Sequence, residues 1–361
     1  MAAPHTIIRG RGAVSNASGR YEPTSREAFD DGWTEADAEA KPLRTELTAE
    51  RARKIISRND SPDIGFSASI NPDRGCEHGC IYCYARPAHA YMGLSPGLDF
   101  ESKLFFKPEA ARLLERELSK PGYVVDPIHI GGNTDPYQPI EKTLRITRSL
   151  LEVLDRFSHP CSIITKNALI TRDVDVLGRM AGRGLARAFV SVTTLDRKLA
   201  RAMEPRAATP GKRLEAIRKL ADAGVPVGVG VAPVIPGLND HEMEAILEAA
   251  AHAGATSAMF VTLRLPLEIK DLFREWLANA YPDRTERVMS LVRQTRGGKD
   301  YDVEWGSRMK GKGPVAELIA ARFKAATRKY GLNRERPPHD VSQFRTPPRA
   351  GDQLLLFSSE Y

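Results

Sequence analysis

The sequence predicts an α/β protein whose central part is a parallel sheet curled into a barrel or partial barrel. One observation is that six short β-rich runs alternate with helical patterns. Such alternation is typical of βαβ units, whose right-handed crossovers place the strands side by side. A second observation is that polar residues follow several of these strands, where the active sites of such folds gather. These residues are Asn133, Thr134, Asp135, Lys166, Asn167, Thr193, Thr194 and Asn239.

Individual elements follow from periodicity and from the residues at their ends. The predicted strands are 65–70, 126–131, 161–166, 187–193, 225–231 and 257–263. The predicted helices lie near 108–119, 142–157, 173–181, 211–223 and 240–253. Pro108 and Pro210 stand where helices begin, since proline tolerates the first turn, and Gly224 and Gly254 follow two helices at the usual cap position.

The chain divides into four parts. Residues 1–60 are polar with few aliphatic runs, which predicts a loosely ordered arm or wrap. The barrel occupies 61–268, and a helical, basic extension follows over 269–333. In residues 334–361 two proline pairs disfavour helix and sheet, so we expect an extended tail and flexible termini.

Composition and charge indicate the compartment and a partner. The hydrophobic content of 42% is typical of a globular protein, and neither a membrane-spanning apolar stretch nor a signal peptide is present, so we expect a cytoplasmic protein with no membrane association. The net charge is +7, and residues 284–349 carry 16 Lys/Arg against 7 Asp/Glu, a surplus of +9. Clustered positive charge attracts phosphate backbones and favours a nucleic-acid partner, DNA in our interpretation; a solubilising surface is the alternative.

Three of the four cysteines lie within eight residues, in the segment Cys76-Glu-His-Gly-Cys80-Ile-Tyr-Cys83. This crowding favours a metal or cluster site over a disulfide framework. Three thiolates can hold three irons of a four-iron cube, whereas structural zinc normally needs four ligands. His78 lies inside the loop, where reaching the same ion is awkward, and Cys161 in its strand is expected to be a small buried hydrophobe.

The C-x3-C-x2-C spacing, with the aromatic Tyr82 before the last cysteine, resembles the signature of the radical SAM superfamily. The resemblance implies a [4Fe-4S] cluster on Cys76, Cys80 and Cys83, with S-adenosylmethionine (SAM) chelated to the open iron. It also implies reductive cleavage of SAM to a 5′-deoxyadenosyl radical by an electron from a donor that the sequence does not identify.

SAM is zwitterionic at its methionine end, so the rest of its site needs polar groups of both signs. In the superfamily a Gly-Gly-Glu-like motif after the second strand binds the SAM amino group. This chain has Asn133, Thr134 and Asp135 there. Lys166 is placed to pair with the SAM carboxylate, and Ser191 and Thr193 to reach the carboxylate or the ribose.

Beyond the triad, Cys80-Ile-Tyr82-Cys83-Tyr84 and the motif Thr134-Asp135-Pro-Tyr-Gln-Pro-Ile-Glu resemble the spore photoproduct lyase branch of the superfamily, over roughly residues 45–335. The resemblance implies a partial (β/α)6 barrel. It places Tyr82 by the SAM adenine and Tyr84 as a hydrogen-atom relay. The lyase has a hydrogen-donating cysteine just before its second-strand motif, where this chain has Gly132 and Asn133.

The tail carries Gln353-Leu-Leu-Leu-Phe357, which resembles the peptide that bacterial polymerases and repair proteins dock on the replicative sliding clamp. An extended peptide of this kind buries apolar side chains in a preformed groove. The alternative is that the pentapeptide docks on its own domain.

Together these features predict a radical SAM enzyme that acts on damaged or modified DNA and is recruited through the clamp. Two other interpretations remain open at this point. One is a radical SAM enzyme that modifies RNA or protein, and the other is a non-catalytic iron–sulfur adaptor at the clamp.

Overall fold

Six parallel strands form the centre of the fold, as the sequence predicts. The structure is a computed structural model, and it describes residues 10–25, 43–335 and 338–348. The strands are β1 Glu46–Ala49, β2 Ile56–Arg58, β3 Ala68–Ile70, β4 Asp73–Arg74, β5 Lys103–Phe106, β6 Ile128–Ile130, β7 Cys161–Thr165, β8 Ala186–Ser191, β9 Val227–Val234 and β10 Ser257–Thr262.

Helices follow the parallel strands and cover one face of the sheet. The α-helices are α1 Leu98–Ser102, α2 Ala110–Leu118, α3 Glu141–Leu144, α4 Ile146–Arg156, α5 Val174–Ala181, α6 Arg197–Met203, α7 Pro210–Asp222, α8 Met243–His252, α9 Ile269–Ala280, α10 Thr285–Gln294, α11 Ser307–Lys310 and α12 Pro314–Lys329. Short 3-10 helices span Arg86–Met92, Ala168–Asp173, Asp240–Glu242 and Pro282–Arg284. None of the described helices is long and apolar enough to cross a membrane.

The main sheet has the order β10-β9-β8-β7-β6-β3-β2, with every neighbouring pair parallel except β2 and β3. Strands β10 and β2 are its two edges among the described residues, so the sheet is a partial rather than a closed barrel. A small sheet of order β1-β5-β4 lies beside the first strand of the series. Since all six parallel strands point the same way, their carboxyl ends meet at one mouth.

The two faces of the sheet differ in polarity because side chains alternate along each strand. Ile128, Ile130, Cys161 and Ile163 are fully buried in the core with the helices, so the expectation for Cys161 is confirmed. The alternate positions carry polar groups, and His129 Nδ1 lies 2.9 Å from Ser162 Oγ across the concave face. Polar chemistry is thereby confined to the interior of the partial barrel and its mouth.

The N-terminal segment is packed against the barrel where the structure describes it. Arg11, Ala13 and Val14 are buried, and a Cβ on Gly12 would lie only 1.8 Å from the carbonyl oxygen of Gly79. The expectation of a loosely ordered arm is therefore wrong for residues 10–15, because this segment contributes backbone donors to a buried carboxylate described below.

The basic extension is helical, as predicted, but part of its charge is already engaged within the protein. Arg296 is buried and donates to four backbone carbonyls, and Arg308 pairs with Asp63 at 2.6 Å. Further pairs join Lys312 to Asp302 and Glu304, Arg322 to Glu244, and Arg293 to Asp300. Asp63 and Glu244 lie outside residues 284–349, so their pairs with Arg308 and Arg322, together with the burial of Arg296, reduce the surplus positive charge at the surface. The other pairs lie within the extension and are already included in the sequence count.

Residues 300–310, which we name the rim loop, cross the open side of the partial barrel. The Thr262 hydroxyl at the end of β10 donates to the Lys310 carbonyl at 2.8 Å. From the same loop, the backbone N–H of Gly306 and the side chain of Arg308 donate to Asp63, in the connection between β2 and β3. The loop thus joins the two edges of the sheet near the mouth.

The first part of the C-terminal tail returns to the barrel. The ring of Phe344 lies 5.5 Å from that of Tyr123 and 5.6 Å from that of His159, and the N–H of Arg345 donates to the Phe157 carbonyl. Residues 338–348 are therefore not a freely projecting tail, because Phe344 has an aromatic pocket just before β7. The clamp-like segment 353–357 lies outside the described residues.

Candidate active site

The three clustered cysteines lie on a loop between β4 and the first 3-10 helix, beside the mouth. Cys76 and Cys80 are buried, and Cys83 is half-buried. The loop depends on glycine: Gly75 and Gly79 both have positive φ, and a Cβ on Gly79 would lie 2.6 Å from the Glu101 carboxylate. The sequence spacing places the three thiols on one short, buried segment, and the two left-handed glycines allow that segment to turn.

Arg86 holds this loop in shape from inside the protein. Its side chain is fully buried, and its guanidinium donates to backbone carbonyls on both sides of the loop and to one carboxylate. The acceptors are the carbonyls of Gly79, Cys80, Pro96 and Gly97 and the carboxylate of Glu101. A buried charge is tolerated only when it is paired and hydrogen-bonded, and here both conditions are met.

Glu101 connects the cysteine loop to the N-terminal segment. Besides pairing with Arg86, its carboxylate accepts hydrogen bonds from the backbone N–H groups of Gly12 and Ala13, each at 2.8 Å. The Arg11 side chain donates to the Glu101 carbonyl at 2.6 Å. The N-terminal segment is thereby fastened over the back of the loop.

The donor set of the loop fits an iron–sulfur cluster. Burial raises the pKa of each of the three thiols, and the nearby thiols of Cys80 and Cys83 raise that of Cys76 further. A bound cation reverses this preference, since a coordinating thiol is deprotonated. Cys161 lies apart, in the core behind β7. Within the described ranges, no three His, Cys, Asp or Glu side chains are grouped as ligands of a single metal ion.

Asp135 joins the cysteine loop to the ends of two strands. Its carboxylate accepts from the Thr165 hydroxyl at 2.6 Å and the Lys166 N–H at 2.7 Å, and it lies 3.3 Å from His78 Nδ1. Burial alone raises its pKa, but His78 and these donors hold it down at about 2. The other ring nitrogen of His78 faces Asn167 at 3.2 Å, so His78 is engaged as a link within the loop.

The three residues expected to bind the SAM amino group, Asn133, Thr134 and Asp135, have different surroundings in the structure. Both oxygens of Asp135 are engaged, and the buried Thr134 hydroxyl donates to the Asp73 carbonyl. Asn133 is exposed at the mouth, and its side-chain amide forms no hydrogen bond with any described residue. Of the three candidates, Asn133 therefore has the polar side chain best able to meet a ligand.

A buried network centred on Glu204 is the feature that sequence reasoning missed. The Glu204 carboxylate accepts from the Tyr82 phenol and from the Thr193 hydroxyl, the latter at 2.7 Å, and it pairs with Arg213. Burial alone raises the pKa of Glu204, but Arg213 and Lys166 hold it down at about 2. Glu204 follows α6 in an unpatterned stretch, so only the three-dimensional contacts reveal it.

Lys166, Ser191 and Thr193 lie near this network on the concave side. The Lys166 ammonium is 5.8 Å from the centre of the Tyr82 ring. Ser191 is buried beside Gly230 of β9, where an added Cβ would lie 3.5 Å from the Ser191 hydroxyl. The structure thus brings Tyr82, Lys166, Ser191 and Thr193 to the same end of the barrel as the three cysteines.

Tyr84 lies at the rim rather than in the interior. Its side chain is 47% exposed, and its phenol donates to the Gly132 carbonyl. The guanidinium of Arg264 lies 5.4 Å from its ring. A Cβ on Gly132 would lie 3.7 Å from Phe66 and 4.0 Å from His129, which leaves room for a side chain at that position.

Comparison with known proteins agrees with this geometry. Residues 70–250, half of the chain, match the family model described as the radical SAM superfamily. The chain belongs to the radical SAM superfamily. It is a radical SAM enzyme, and its family implies an iron–sulfur cluster and SAM as cofactors.

Relatives of this radical SAM enzyme occur in bacteria and archaea. An uncharacterized protein of Mycobacterium tuberculosis is 35% identical over 233 residues, which cover 64% of this chain and 68% of the relative. Another, of Methanocaldococcus jannaschii, is 26% identical over 245 residues, covering 68% and 87%.

Among solved structures, spore photoproduct lyase complexed with dinucleoside spore photoproduct matches with a TM-score of 0.55 and 16% identity, over 79% of this chain and 78% of that one. A variant of the lyase with bound AdoMet and the same dinucleoside gives the same values. At this identity the likeness shows the fold, which is the predicted partial barrel.

Replacing Arg86 with Lys is expected to release the cysteine loop. Lysine keeps the charge but cannot donate to five acceptors in two directions, so Glu101 loses much of its compensation. We expect the free energy of unfolding to fall by roughly 3–5 kcal/mol and iron loading to drop. Urea unfolding and iron analysis measure both, with the exposed Arg112→Lys as the matched control. Normal stability and iron loading in Arg86→Lys would show that the loop does not depend on this side chain.

Replacing Glu204 with Gln is expected to weaken SAM binding about tenfold while iron content stays normal. The neutral amide leaves Arg213 unpaired and loosens Tyr82, a change worth roughly 1–3 kcal/mol. Calorimetry on the anaerobically loaded protein measures the affinity. Glu215→Gln, on the surface of α7, serves as the control. An unchanged SAM affinity in a folded Glu204→Gln protein would separate this network from the SAM site.

Proposed function

We propose that this radical SAM enzyme carries a [4Fe-4S] cluster on Cys76, Cys80 and Cys83 and acts on damaged or modified DNA. The main observation is the three-thiol loop beside a polar mouth that presents Tyr84. Three thiolates leave one iron of a four-iron cube open for SAM. When bound, the cluster and SAM together supply a 5′-deoxyadenosyl radical that abstracts a hydrogen atom from the substrate.

The residues around the loop have distinct parts in this proposal. Lys166 pairs with the SAM carboxylate, and Asn133 accepts from its amino group. Tyr82, held by Glu204, packs against the adenine, while Ser191 and Thr193 face the methionine and ribose side. The contacts among Lys166, Tyr82 and Thr193 support this assignment, since they place three of these side chains together.

Tyr84 is proposed as the residue that faces the substrate. A phenol can pass a hydrogen atom, and this one is held at the rim by the Gly132 carbonyl, outside the buried network. The reaction differs from that of the lyase in its hydrogen donor, because Gly132 and Asn133 stand where the lyase has its cysteine. DNA as the substrate is supported by the fold shared with a lyase solved with a dinucleoside photoproduct and by the basic extension.

The test is anaerobic reconstitution followed by reduction. We expect about four irons per chain, most of them lost in Cys83→Ala but kept in Cys161→Ala.

The reduced protein should release 5′-deoxyadenosine and methionine, and lesion-bearing DNA should increase turnover more than matched RNA does. Tyr84→Phe should keep the cluster and SAM binding but impair substrate turnover. An intact cluster that never cleaves SAM with any nucleic acid would favour the adaptor, and stimulation by RNA alone would favour the RNA-modifying enzyme.

We also propose that Gln353–Phe357 binds the bacterial sliding clamp. Its leucines and phenylalanine are apolar anchors that contribute about 1.5–3 kcal/mol each when fully buried, and ordering of the peptide offsets much of that. We expect a peptide of residues 350–361 to bind with an affinity on the order of micromolar, measured by calorimetry. Replacing Gln353, Leu356 and Phe357 with Ala in the full chain should abolish binding, whereas Ser358→Ala should not. A peptide that shows no heat of binding would remove the clamp from the proposal.

A further inference from the structure

Two clusters of exposed aromatic rings backed by arginine lie at the mouth, and neither belongs to the site described above. In the first, the rings of Tyr21 and Tyr91 lie 5.3 Å apart, with the Arg20 guanidinium 5.3 and 5.7 Å from them. In the second, the Arg308 guanidinium lies 4.4 Å from the Trp305 ring on the rim loop. Tyr91 is 71% exposed and Trp305 53% exposed, so both present ring surface to solvent.

A single connection joins the two clusters to Tyr84. Arg264, directly after β10, lies 5.4 Å from the Tyr84 ring and donates to the sulfur of Met309 in the rim loop at 3.2 Å. Four residues on, Glu268 pairs with Arg20 at 2.7 Å. The segment from Arg264 to Glu268 therefore contacts Tyr84, the rim loop that carries the second cluster, and Arg20 of the first cluster.

Isolated exposed rings are common on protein surfaces and need no explanation. Here, however, each cluster combines a planar apolar surface with a guanidinium, and the exposed Lys310 lies beside the second, forming no ion pair with any described residue. Flat rings accept nucleobases by stacking whatever their sequence, and the ammonium of Lys310 is available for a phosphate between the bases. A paired base keeps its faces stacked on its neighbours, so only an unpaired strand offers them.

We propose that an unpaired nucleic-acid strand crosses the mouth, with one base stacked on Tyr91 and another on Trp305. This inference rests on the proposed function, because it names the form in which the substrate reaches Tyr84. Arg308 also fastens the rim loop to Asp63, so the ring of Trp305 is held in place before the strand arrives. A preorganised stacking surface loses little conformational entropy on binding.

The experiment measures binding of fluorescent twelve-nucleotide oligo(dT) and oligo(U), and of a duplex, to the full-length protein by anisotropy. We expect Trp305→Ala and Tyr91→Ala each to weaken single-strand binding about tenfold or more, and Trp305→Phe to restore most of it. In a Trp33→Phe background the strand should also quench tryptophan fluorescence, and Trp305→Phe should abolish this quenching, because the one other tryptophan of the sequence, Trp276, is buried. Circular dichroism and iron content check that the variants are folded. Val124→Ala, an exposed apolar residue before β6, is the matched control.

The outcomes separate this inference from the proposed function. In one outcome DNA stimulates SAM cleavage, but Trp305→Ala and Tyr91→Ala bind the strand as tightly as the parent does. The proposed stacking surfaces are then wrong, and the proposed action on DNA is retained. If duplex binds better than either single strand and the two variants do not affect it, the inference is likewise overturned. If no nucleic acid binds or stimulates the parent, both fail. The oligo(dT) and oligo(U) affinities distinguish DNA from RNA as the source of the strand.

Discussion

The buried pair of Arg86 and Glu101 is the constraint on which the cysteine loop depends. Neither charge is tolerable inside the protein alone, and together they use their remaining donors and acceptors on backbone groups of three separate segments. The loop, the first 3-10 helix and the N-terminal segment are consequently one mechanical unit. A ligand set that must keep its spacing through electron transfer gains from such rigidity, because metal affinity depends on preformed geometry.

Side chains alternate along the strands of the partial barrel, and this alternation alone places apolar residues on one face and polar residues on the other. Apolar residues such as Ile130 and Val190 face the helices, and residues such as His129 and Ser191 face the interior. Burial lowers the pKa of His129 to about 4, so its ring stays neutral at the pH of the cell. His129 therefore adds polarity to the interior without adding charge. Glu204, which is paired with Arg213, lies near Lys166 where the ligand is expected.

The sequence was sufficient for the strands, most helices and the cysteine loop, because these depend on local patterns. Periodicity located all six parallel strands to within a few residues, and cysteine spacing located the loop. The sequence patterns did not predict the roles of Glu204, Arg86 and the packed segment from Arg11 to Val14. Arg11 and Glu204 have partners far along the chain, and no local pattern encodes a pairing across 90 residues such as that of Arg11 with Glu101. The partners of Arg86 lie within 15 residues, but most of them are backbone carbonyls, which no pattern of side chains marks. Asp135 is part of the motif that the sequence indicates, but the engagement of its carboxylate by Thr165 and His78 follows only from the assembled strand ends.

Phe344 fixes the C-terminal segment at the end of the barrel opposite the mouth. Its aromatic pocket lies just before β7, at the base of the barrel, whereas the thiols and Tyr84 lie at the mouth. Eight residues separate Arg345 from Gln353, a span of at most about 28 Å for an extended chain. A partner bound to residues 353–357, as proposed above, would therefore lie within this distance of Arg345 at the base. Such an attachment would limit the orientation of the enzyme as well as its position, because the tether leaves the protein at the end opposite the thiols.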